Sequence, residues 1–233
     1  MIALIFCGGY GSRMNNGQPG KLKPLLKVGG KAVLRHIISI YQKGGVRDFI
    51  LLGGYKIDEL QKFASTIKNK RLNIKVVDTG EGTPTGGRLL LAKGQIPEGP
   101  FYLTYGDSLT NYSIAKSNTL KETTGSDLVA SVYYKALEYG VLDIDPQQTV
   151  KGIFEKTYTV PINAGFYTLD HRIFDYIHSV EDSFEIDTLP RILKEGKLKV
   201  VAYPIDFWHP MDTPADRKKL DIILKSDPSI LYR

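Results

Sequence analysis

Met1-Ile-Ala-Leu-Ile-Phe-Cys-Gly-Gly-Tyr-Gly-Ser-Arg13 is the stretch that decides the fold, because an apolar run of strand length enters a cluster of glycines there. The run from Ile2 to Phe6 contains no polar residue, which is typical of a central strand buried on both faces of a parallel sheet. Ligands of such sheets bind outside the carboxyl ends of the strands. We therefore expect a binding site directly after Phe6.

The glycines and the cations that follow this strand predict a triphosphate site. Gly8, Gly9 and Gly11 allow the backbone to approach an anion closely, and Arg13 and Lys23 supply positive charge. Neither G-x-x-x-x-G-K-[ST] nor G-x-G-x-x-G fits the spacing. An ordinary strand-to-loop turn with two solvated cations therefore remains open on these residues alone.

Length and composition favour one globular domain. The chain has 233 residues, of which 42% are hydrophobic and 24% are charged, and it has no linker, repeat or low-complexity stretch. We expect a single domain over residues 1–233, with a nucleotide-binding N-terminal half and an acceptor-binding section at about 125–210. No apolar run approaches the length of a membrane span, so we expect no membrane partner.

Charge and cysteine content also limit the function classes. The net charge is +6, but the lysines are spread along the chain and form no basic block, so we expect no nucleic-acid partner. A mildly positive field would instead steer polyanionic substrates. Cys7 is the only cysteine in the sequence and no secretory signal is recognisable, so we expect a cytoplasmic protein. Because Cys7 follows a buried strand, we expect it to pack as a small hydrophobe.

Strand and helix patterns alternate in the N-terminal half. Helical spacing over 31–44 is followed by an apolar strand at 48–54, a helix at 57–67 and a strand at 73–78. This alternation predicts a doubly wound, parallel sheet. Between about 128 and 169 the strand patterns are separated by short turns, so we expect mixed or antiparallel pairing there. After this section we expect helices at 171–178 and at about 186–194.

A second glycine-rich segment follows the strand at 73–78. Gly80, Gly82, Gly86 and Gly87 lead into an apolar helix that begins with Gly-Gly-Arg88. Backbone without side chains can lie flat against a planar ligand and hydrogen-bond its edge, so the segment predicts a nucleobase site. A flexible surface loop is the alternative.

Two aspartates are candidates for binding a divalent cation. Asp107 follows the next strand at the same predicted sheet edge, and Asp212 lies between prolines ahead of the last helix. Carboxylate oxygens are the ligands that Mg²⁺ prefers beside a triphosphate. Capping is the alternative for each: Asp107 for the helix from Ser113, and Asp212 or Thr213 for the helix near Pro214.

Four residues of the later strands are candidates for binding a second substrate. Lys156, next to Glu155, is suited to a phosphate, and Asn163 with Gly165 is suited to the edge of a polyol. Taken alone, the first pair is equally consistent with a solvated ion pair and the second with a β-bulge.

The chain resembles the sugar-phosphate nucleotidyltransferases, and among them the glucose-1-phosphate cytidylyltransferases. The matching motifs appear in the order of the family: Gly8 to Arg13, Lys23-Pro24, Thr79 to Arg88, Tyr105-Gly-Asp107, Glu155-Lys156, Ile162 to Phe166, and Phe207 to Thr213. The stretch ending in Thr-Gly-Gly-Arg88 is characteristic of the cytidylyl branch. The resemblance implies an α/β fold, with a Rossmann-like, mixed, mainly parallel sheet flanked by helices and a smaller antiparallel acceptor-binding section.

The resemblance also implies a role for each matching residue. The nucleotide-binding set is Gly8, Gly9, Gly11, Arg13, Lys23, Glu81, Gly82, Gly86 and Arg88, of which the last four match the region that recognises cytosine. The catalytic set is Arg13 on the outer phosphates, Lys23 on the α-phosphate, and Asp107. The Mg²⁺ ligands would be Asp107 and Asp212. The acceptor-binding set is Glu155, Lys156, Asn163 and Gly165, with Lys156 on the phosphate.

The implied activity is Mg²⁺-dependent transfer of CMP from CTP to a phosphorylated small molecule, foremost a sugar 1-phosphate, with release of pyrophosphate. Thr157-Tyr158 replaces the usual proline after Lys156, and Ala164 stands where a glycine is common. These departures leave a non-sugar phosphate open as acceptor. Another nucleoside triphosphate, a non-catalytic nucleotide-binding module and a glycosyltransferase are the further alternatives, and homo-oligomer formation stays open. A glycosyltransferase would call for an Asp-x-Asp motif at the end of a strand; Asp143-Ile-Asp145 has this spacing but lies at a predicted turn, where we expect a structural role.

Overall fold

The computed structural model describes residues 1–11, 14, 20–156 and 158–233. Its strands are β1 (Ile2–Phe6), β2 (Lys27–Val28), β3 (Lys31–Ala32), β4 (Asp48–Gly53), β5 (Asn73–Asp78), β6 (Phe101–Tyr105), β7 (Ser108–Thr110), β8 (Leu128–Ala136), β9 (Val141–Ile144), β10 (Val150–Phe154), β11 (Thr159–Leu169), β12 (Val200–Pro204) and β13 (Trp208–Pro210). Its α-helices are α1 (Val33–Lys43), α2 (Ile57–Ser65), α3 (Thr85–Ala92), α4 (Ile114–Thr124), α5 (Leu189–Glu195) and α6 (Pro214–Ser226).

A seven-stranded sheet of order β12-β8-β11-β6-β1-β4-β5 forms the centre of the molecule. β1 pairs in parallel with β4 on one side and β6 on the other, and β4 pairs in parallel with β5. The predicted mixed, mainly parallel sheet is therefore confirmed, with the apolar β1 at its centre. Because these four strands run in one direction, their carboxyl ends meet at one edge, after Phe6, Gly53, Asp78 and Tyr105.

The later strands change the pairing as the turns between them predict. β11 is antiparallel to both β6 and β8, and β9 with β10 forms a separate antiparallel pair. The turn between β9 and β10 is closed by Asp145, whose carboxylate accepts hydrogen bonds from the backbone NH groups of Gln147 and Thr149. This turn role disfavours Asp143-Ile-Asp145 as the metal motif of a glycosyltransferase.

Two apolar layers cover the two faces of the sheet. One contains Leu34, Ile37 and Tyr41 of α1 and Leu220 of α6, together with the inward side chains of β1. The other contains Leu89 of α3 and the segments after β11. Helices on both faces are what a buried parallel sheet requires. None of the helices in the described residues combines the length and apolarity needed to cross a membrane.

Some local predictions need correction. The helix predicted at 171–178 is a 3₁₀ segment, His171–Tyr176, and the helix predicted from residue 186 is a π-helical turn, Phe184–Thr188, followed by α5. α2 ends at Ser65, two residues before the predicted end. Cys7 is 2% exposed, which confirms its packing as a small hydrophobe.

Candidate active site

The carboxyl edge of the sheet is tied together by Arg88, the last residue of the Thr-Gly-Gly-Arg stretch. Its Nη1 donates to the carbonyl oxygen of Gly53 at 2.5 Å and to the hydroxyl of Thr79 at 2.5 Å, while Nη2 donates to the carbonyl oxygen of Gly8 at 3.1 Å. These partners follow or end β1, β4 and β5. The buried guanidinium therefore clamps three neighbouring strand ends below the glycine turn.

The glycine turn after β1 lines a cleft of about 340 Å³. A Cβ atom added at Gly8 would lie 2.3 Å from Nη1 of Arg88, so a larger residue there would have to displace the guanidinium from its hydrogen bonds. Gly9 and Tyr10 lie on the exposed side of the turn, and Gly11 has a positive φ of 64°. Arg13, the predicted partner of the outer phosphates, lies outside the described residues. The structure thus brings Gly8, Gly9 and Gly11 to one cleft, as the sequence predicts.

Lys23 lies at the floor of this cleft between two carboxylates. The side chain of Lys23 is 9% exposed, and its ammonium lies 2.7 Å from Oδ1 of Asp212 and 3.6 Å from Oδ2 of Asp107. The two carboxylate oxygens are therefore no further apart than the sum of these distances. Among the described side chains of this cluster, one ammonium and two carboxylates carry a net charge of −1, which favours the binding of a cation.

Pairing between β7 and β13 brings the two aspartates together. The strands are antiparallel, with Pro210 opposite Ser108, and the backbone NH of Met211 donates to the carbonyl oxygen of Asp107 at 2.8 Å. Asp107 stands directly before β7 and Asp212 two residues after β13, so the pairing places them side by side. The two aspartates are 105 positions apart in the sequence, so no local pattern predicts this contact.

Neither aspartate caps a helix, whereas the Thr213 alternative for the last helix is confirmed. Ser113 itself caps α4 through its side chain. Thr213 caps α6 in a reciprocal arrangement with Asp216, in which the Thr213 hydroxyl accepts from the backbone NH of Asp216 and the Asp216 carboxylate accepts from the backbone NH of Thr213. Asp107 and Asp212 consequently have their carboxylates at Lys23 instead of at helix ends.

The two carboxylates have the chemistry that a Mg²⁺ ion needs. Both face the ammonium of Lys23 at the edge of the cleft. Among the described residues, no group of three or more His, Cys, Asp or Glu side chains could hold a metal ion. Mg²⁺ is commonly held by one or two carboxylates while phosphates and water complete its octahedron. Asp107 and Asp212 therefore fit the ion as its protein ligands.

The glycine-rich segment before α3 divides into two parts. Gly80 and Gly82 have positive φ angles of 84° and 73°, and Gly82 lines the cleft. Gly86 and Gly87 instead face the turn at 180–182: an added Cβ would lie 2.6 Å and 1.9 Å, respectively, from its carbonyl oxygens. The two helical glycines thus allow close packing of α3. Glu81 is exposed and is not among the described residues that line the cleft.

The four residues predicted to recognise cytosine therefore differ in whether they border the cleft. Gly82 and Arg88 border the cleft, Arg88 as a clamp, whereas Gly86 is used for packing. Recognition of a base by Glu81, Gly82, Gly86 and Arg88 stays a prediction.

A second pocket of about 270 Å³ adjoins the first and shares Tyr105 and Asp107 with it. Asn163 and Gly165 line this pocket, as their prediction as acceptor-binding residues requires. The β-bulge alternative is also confirmed, because the register of β11 against β8 shifts here and Gly165 has a φ of 77°. The side-chain oxygen of Asn163 accepts from the backbone NH of Gly165 at 3.0 Å, so it holds the bulge in shape.

Glu155 and Lys156 are not among the described residues that line either part of the cleft. Both are exposed and follow β10, and Lys156 adopts a positive φ of 56°. The carboxylate of Glu155 lies against Gly140, where an added Cβ would come within 2.5 Å of Oε1. Binding of an acceptor phosphate by Lys156 stays a prediction.

Glu185 and Trp208 are pocket residues that the sequence patterns did not identify as site residues. Trp208 Nε1 donates to the carbonyl oxygen of Ala164 at 2.9 Å, which fixes the indole beside the bulge. Burial raises the pKa of Glu185, an effect that the hydrogen bond from Thr85 opposes. No spacing signal marks Glu185, because its partner Thr85 is 100 residues away in the sequence.

Comparison with known proteins agrees with this geometry. A family described as nucleotidyl transferase matches residues 2–213. A probable glucose-1-phosphate cytidylyltransferase of Bacillus subtilis (strain 168) is 34% identical, covering 91% of this chain and 92% of that protein. A probable mannose-1-phosphate guanylyltransferase of Oryza sativa subsp. japonica is 28% identical, covering 99% of this chain and 68% of that protein.

The solved structures agree as well. The crystal structure of HddC from Yersinia pseudotuberculosis complexed with GMP-PN superposes with a TM-score of 0.73 at 27% identity, covering 96% of this chain and 99% of that chain. The family match spans most of the chain, and the Bacillus subtilis relative is similar over nearly its full length. The chain therefore belongs to the nucleotidyl transferase family, among the sugar-phosphate nucleotidyltransferases.

Proposed function

We propose that this enzyme transfers CMP from CTP to a sugar 1-phosphate with the aid of Mg²⁺. A phosphate oxygen of the acceptor forms a bond to the α-phosphorus of CTP, the bond from that phosphorus to the bridging oxygen of the β-phosphate breaks, and pyrophosphate leaves. The product is a CDP-sugar. Because the attacking phosphate oxygen is already ionised at pH 7, the reaction requires no general base.

The observation that carries this proposal is the convergence of Lys23, Asp107 and Asp212 where the two parts of the cleft meet. Asp107 lines both parts, and its carboxylate faces the ammonium of Lys23. A nucleotide in the first part and an acceptor in the second would meet at this cluster. A positioned cation at the junction is what a reaction between two polyanions requires.

Charge repulsion is the main obstacle to the reaction. Two unit charges 4 Å apart at an effective dielectric constant of about 20 repel each other by about 4 kcal/mol. The side chain of Lys23 is long and flexible, so its ammonium can move from the carboxylates to the α-phosphate. Mg²⁺ held by Asp107 and Asp212 would supply further positive charge to the phosphates. The glycine turn would present backbone NH groups to the same phosphates.

The choice of CTP rests on two supports. The Bacillus subtilis relative that is 34% identical bears the name of a cytidylyltransferase, and the Thr-Gly-Gly-Arg88 stretch is characteristic of that branch. A guanylyltransferase acting on mannose 1-phosphate is the second candidate. It is favoured by the relatives from Oryza sativa and by the Yersinia pseudotuberculosis protein crystallised with GMP-PN.

A substrate matrix tests the proposal. Purified protein is incubated with each of the four nucleoside triphosphates and with glucose 1-phosphate, mannose 1-phosphate or phosphoethanolamine, and pyrophosphate release is measured with and without Mg²⁺. We expect CTP and a hexose 1-phosphate to give the highest kcat/KM, and EDTA to abolish the signal until Mg²⁺ is restored. A preference for GTP would replace the proposal with its second candidate. Turnover of phosphoethanolamine alone, or equal rates in EDTA, would refute it.

A further inference from the structure

We propose that Glu185, together with the hydroxyl of Tyr105, binds sugar hydroxyls of the acceptor and so sets acceptor specificity. This inference rests on the proposed function and assigns a recognition element to its second substrate. Both residues line the acceptor part of the cleft, next to Asn163 and Gly165.

One carboxylate oxygen of Glu185 is fully used within the protein. Oε2 accepts from the hydroxyl of Thr85 at 2.7 Å and from the hydroxyl of Ser183 at 2.9 Å. Thr85 is the first residue of α3 and also lines the nucleotide part of the cleft. These two bonds fix the position of Glu185 at the junction between the nucleotide wall and the acceptor pocket.

The other carboxylate oxygen, Oε1, is buried and has no hydrogen-bond partner among the residues that the structure describes. Buried polar atoms in folded proteins nearly always have a hydrogen-bond partner. An unpartnered polar atom in a residue that lines a pocket therefore points to a ligand that supplies the missing hydrogen bond. The terminal torsion of a glutamate is soft, so the carboxyl group can adjust to a group in the pocket.

Tyr105, which lines the same pocket, has a second unpartnered polar atom: its hydroxyl is buried without a hydrogen-bond partner among the described residues. Its ring cannot move freely, because it packs on Phe6 with centroids 5.3 Å apart and lies where a Cβ at Gly165 would come within 2.5 Å. The bulge glycine therefore makes room for this ring, and these contacts hold Tyr105 in place at the pocket.

The Glu185 carboxylate and the Tyr105 hydroxyl are suited to bind hydroxyl groups of a ligand and not a phosphate. A carboxylate accepts hydrogen bonds and repels a phosphate, while a phenol both donates and accepts. A sugar hydroxyl can donate to Glu185 and satisfy Tyr105 with its oxygen or with a neighbouring hydroxyl. The phosphate of the acceptor would instead be drawn towards the ammonium of Lys23, which lies 3.6 Å from Asp107 at the edge of this pocket.

The test compares Glu185→Gln and Tyr105→Phe with two matched controls, Glu181→Gln and Tyr139→Phe, whose side chains are exposed. Steady-state kinetics are measured with CTP and glucose 1-phosphate, and with glucose 1-phosphate lacking one ring hydroxyl at a time. Thr85→Val is included because it removes a bond to Glu185 without removing the carboxylate. Urea midpoints show that each variant is folded.

We expect Glu185→Gln to raise the KM of glucose 1-phosphate by roughly tenfold to a hundredfold, the range of one charged hydrogen bond, while the KM of CTP changes less than twofold. One deoxy analogue, which lacks the hydroxyl that Glu185 binds, should have a higher KM than glucose 1-phosphate for the wild type. For Glu185→Gln the two KM values should be equal. Tyr105→Phe should show the same pattern with a smaller change. The exposed controls should match the wild type.

Two results would overturn the inference. One is an equal rise in the KM of CTP and of the sugar phosphate, reproduced by Thr85→Val, which would show that Glu185 only supports the wall. The other is an unchanged ranking of the deoxy analogues in both variants. If the wild type releases no pyrophosphate with any hexose 1-phosphate, the proposed function itself fails, so the two failures are distinguishable.

Discussion

Replacing Arg88 with methionine separates two roles of this side chain, clamping of the sheet edge and recognition of the base. Methionine keeps an unbranched side chain but removes the hydrogen bonds to Gly8, Gly53 and Thr79. The carbonyl oxygen of Gly53 retains the NH and the hydroxyl of Thr79 as donors, at 3.1 Å and 2.6 Å. The carbonyl oxygen of Gly8 and the hydroxyl oxygen of Thr79 each lose a charged donor, and each loss lowers the free energy of unfolding by about 1.5 kcal/mol. Because the variant no longer buries a charged group, part of this cost is offset, and we expect a loss of about 2 kcal/mol.

Urea unfolding followed by the fluorescence of Trp208 measures this loss, since it is the single tryptophan. For a domain of this length, about 2 kcal/mol corresponds to a fall in Tm of roughly 4–8 °C. The control is Arg71→Met, whose side chain is exposed and should leave the urea midpoint unchanged. The clamp would be refuted if Arg88→Met unfolded at the wild-type urea midpoint while the KM of CTP rose, because the guanidinium would then act on the base alone.

Three further outcomes are expected. Asp107→Asn and Lys23→Met should each lower turnover about a hundredfold or more, since the first weakens the proposed Mg²⁺ site and the second removes a positive charge aimed at the phosphates; wild-type pyrophosphate release in either variant would exclude that role. Gly87→Ala should lower the free energy of unfolding by about 2 kcal/mol because its Cβ would lie 1.9 Å from a backbone carbonyl oxygen, whereas Gly94→Ala, with nothing within 4 Å, should be neutral in the same urea titration. Cys7 should react with a thiol reagent only after unfolding, because burial raises the pKa of its thiol; rapid labelling of the native protein would contradict this.

Local sequence patterns predict much of the fold. The uninterrupted apolar run of β1 indicates a strand buried on both faces, and the structure has it at the centre of the sheet. The alternation of strand and helix patterns predicts parallel pairing, and the short turns after residue 128 predict the change to antiparallel pairing. These features follow from sequence because burial period and turn chemistry act over a few neighbouring residues. Boundaries of the segment 171–195 are less predictable, since it is held by packing against α3.

The candidate site is predictable in residue type but only partly in geometry. Gly8 and Asp107 are recognisable as phosphate and metal chemistry because they follow strands that end at one sheet edge, and Lys23 because it is a cation in the connection after the first of these strands. The role of Arg88 as a clamp was not predictable, since its three partners lie on separate strands. Glu185 was not identified, since its importance depends on a contact with Thr85 and on an orphan oxygen.

The sequence by itself determined the strand and helix periods, the positions that need glycine, and the side chains able to carry phosphate chemistry. Only the tertiary structure decided which of those side chains meet. The pairing of β7 with β13 joins Asp107 to Asp212, and the packing of α3 joins Thr85 to Glu185. The physical reason is that hydrogen bonds and ion pairs act only over a few ångströms, and the order and register of a sheet set which distant segments come that close.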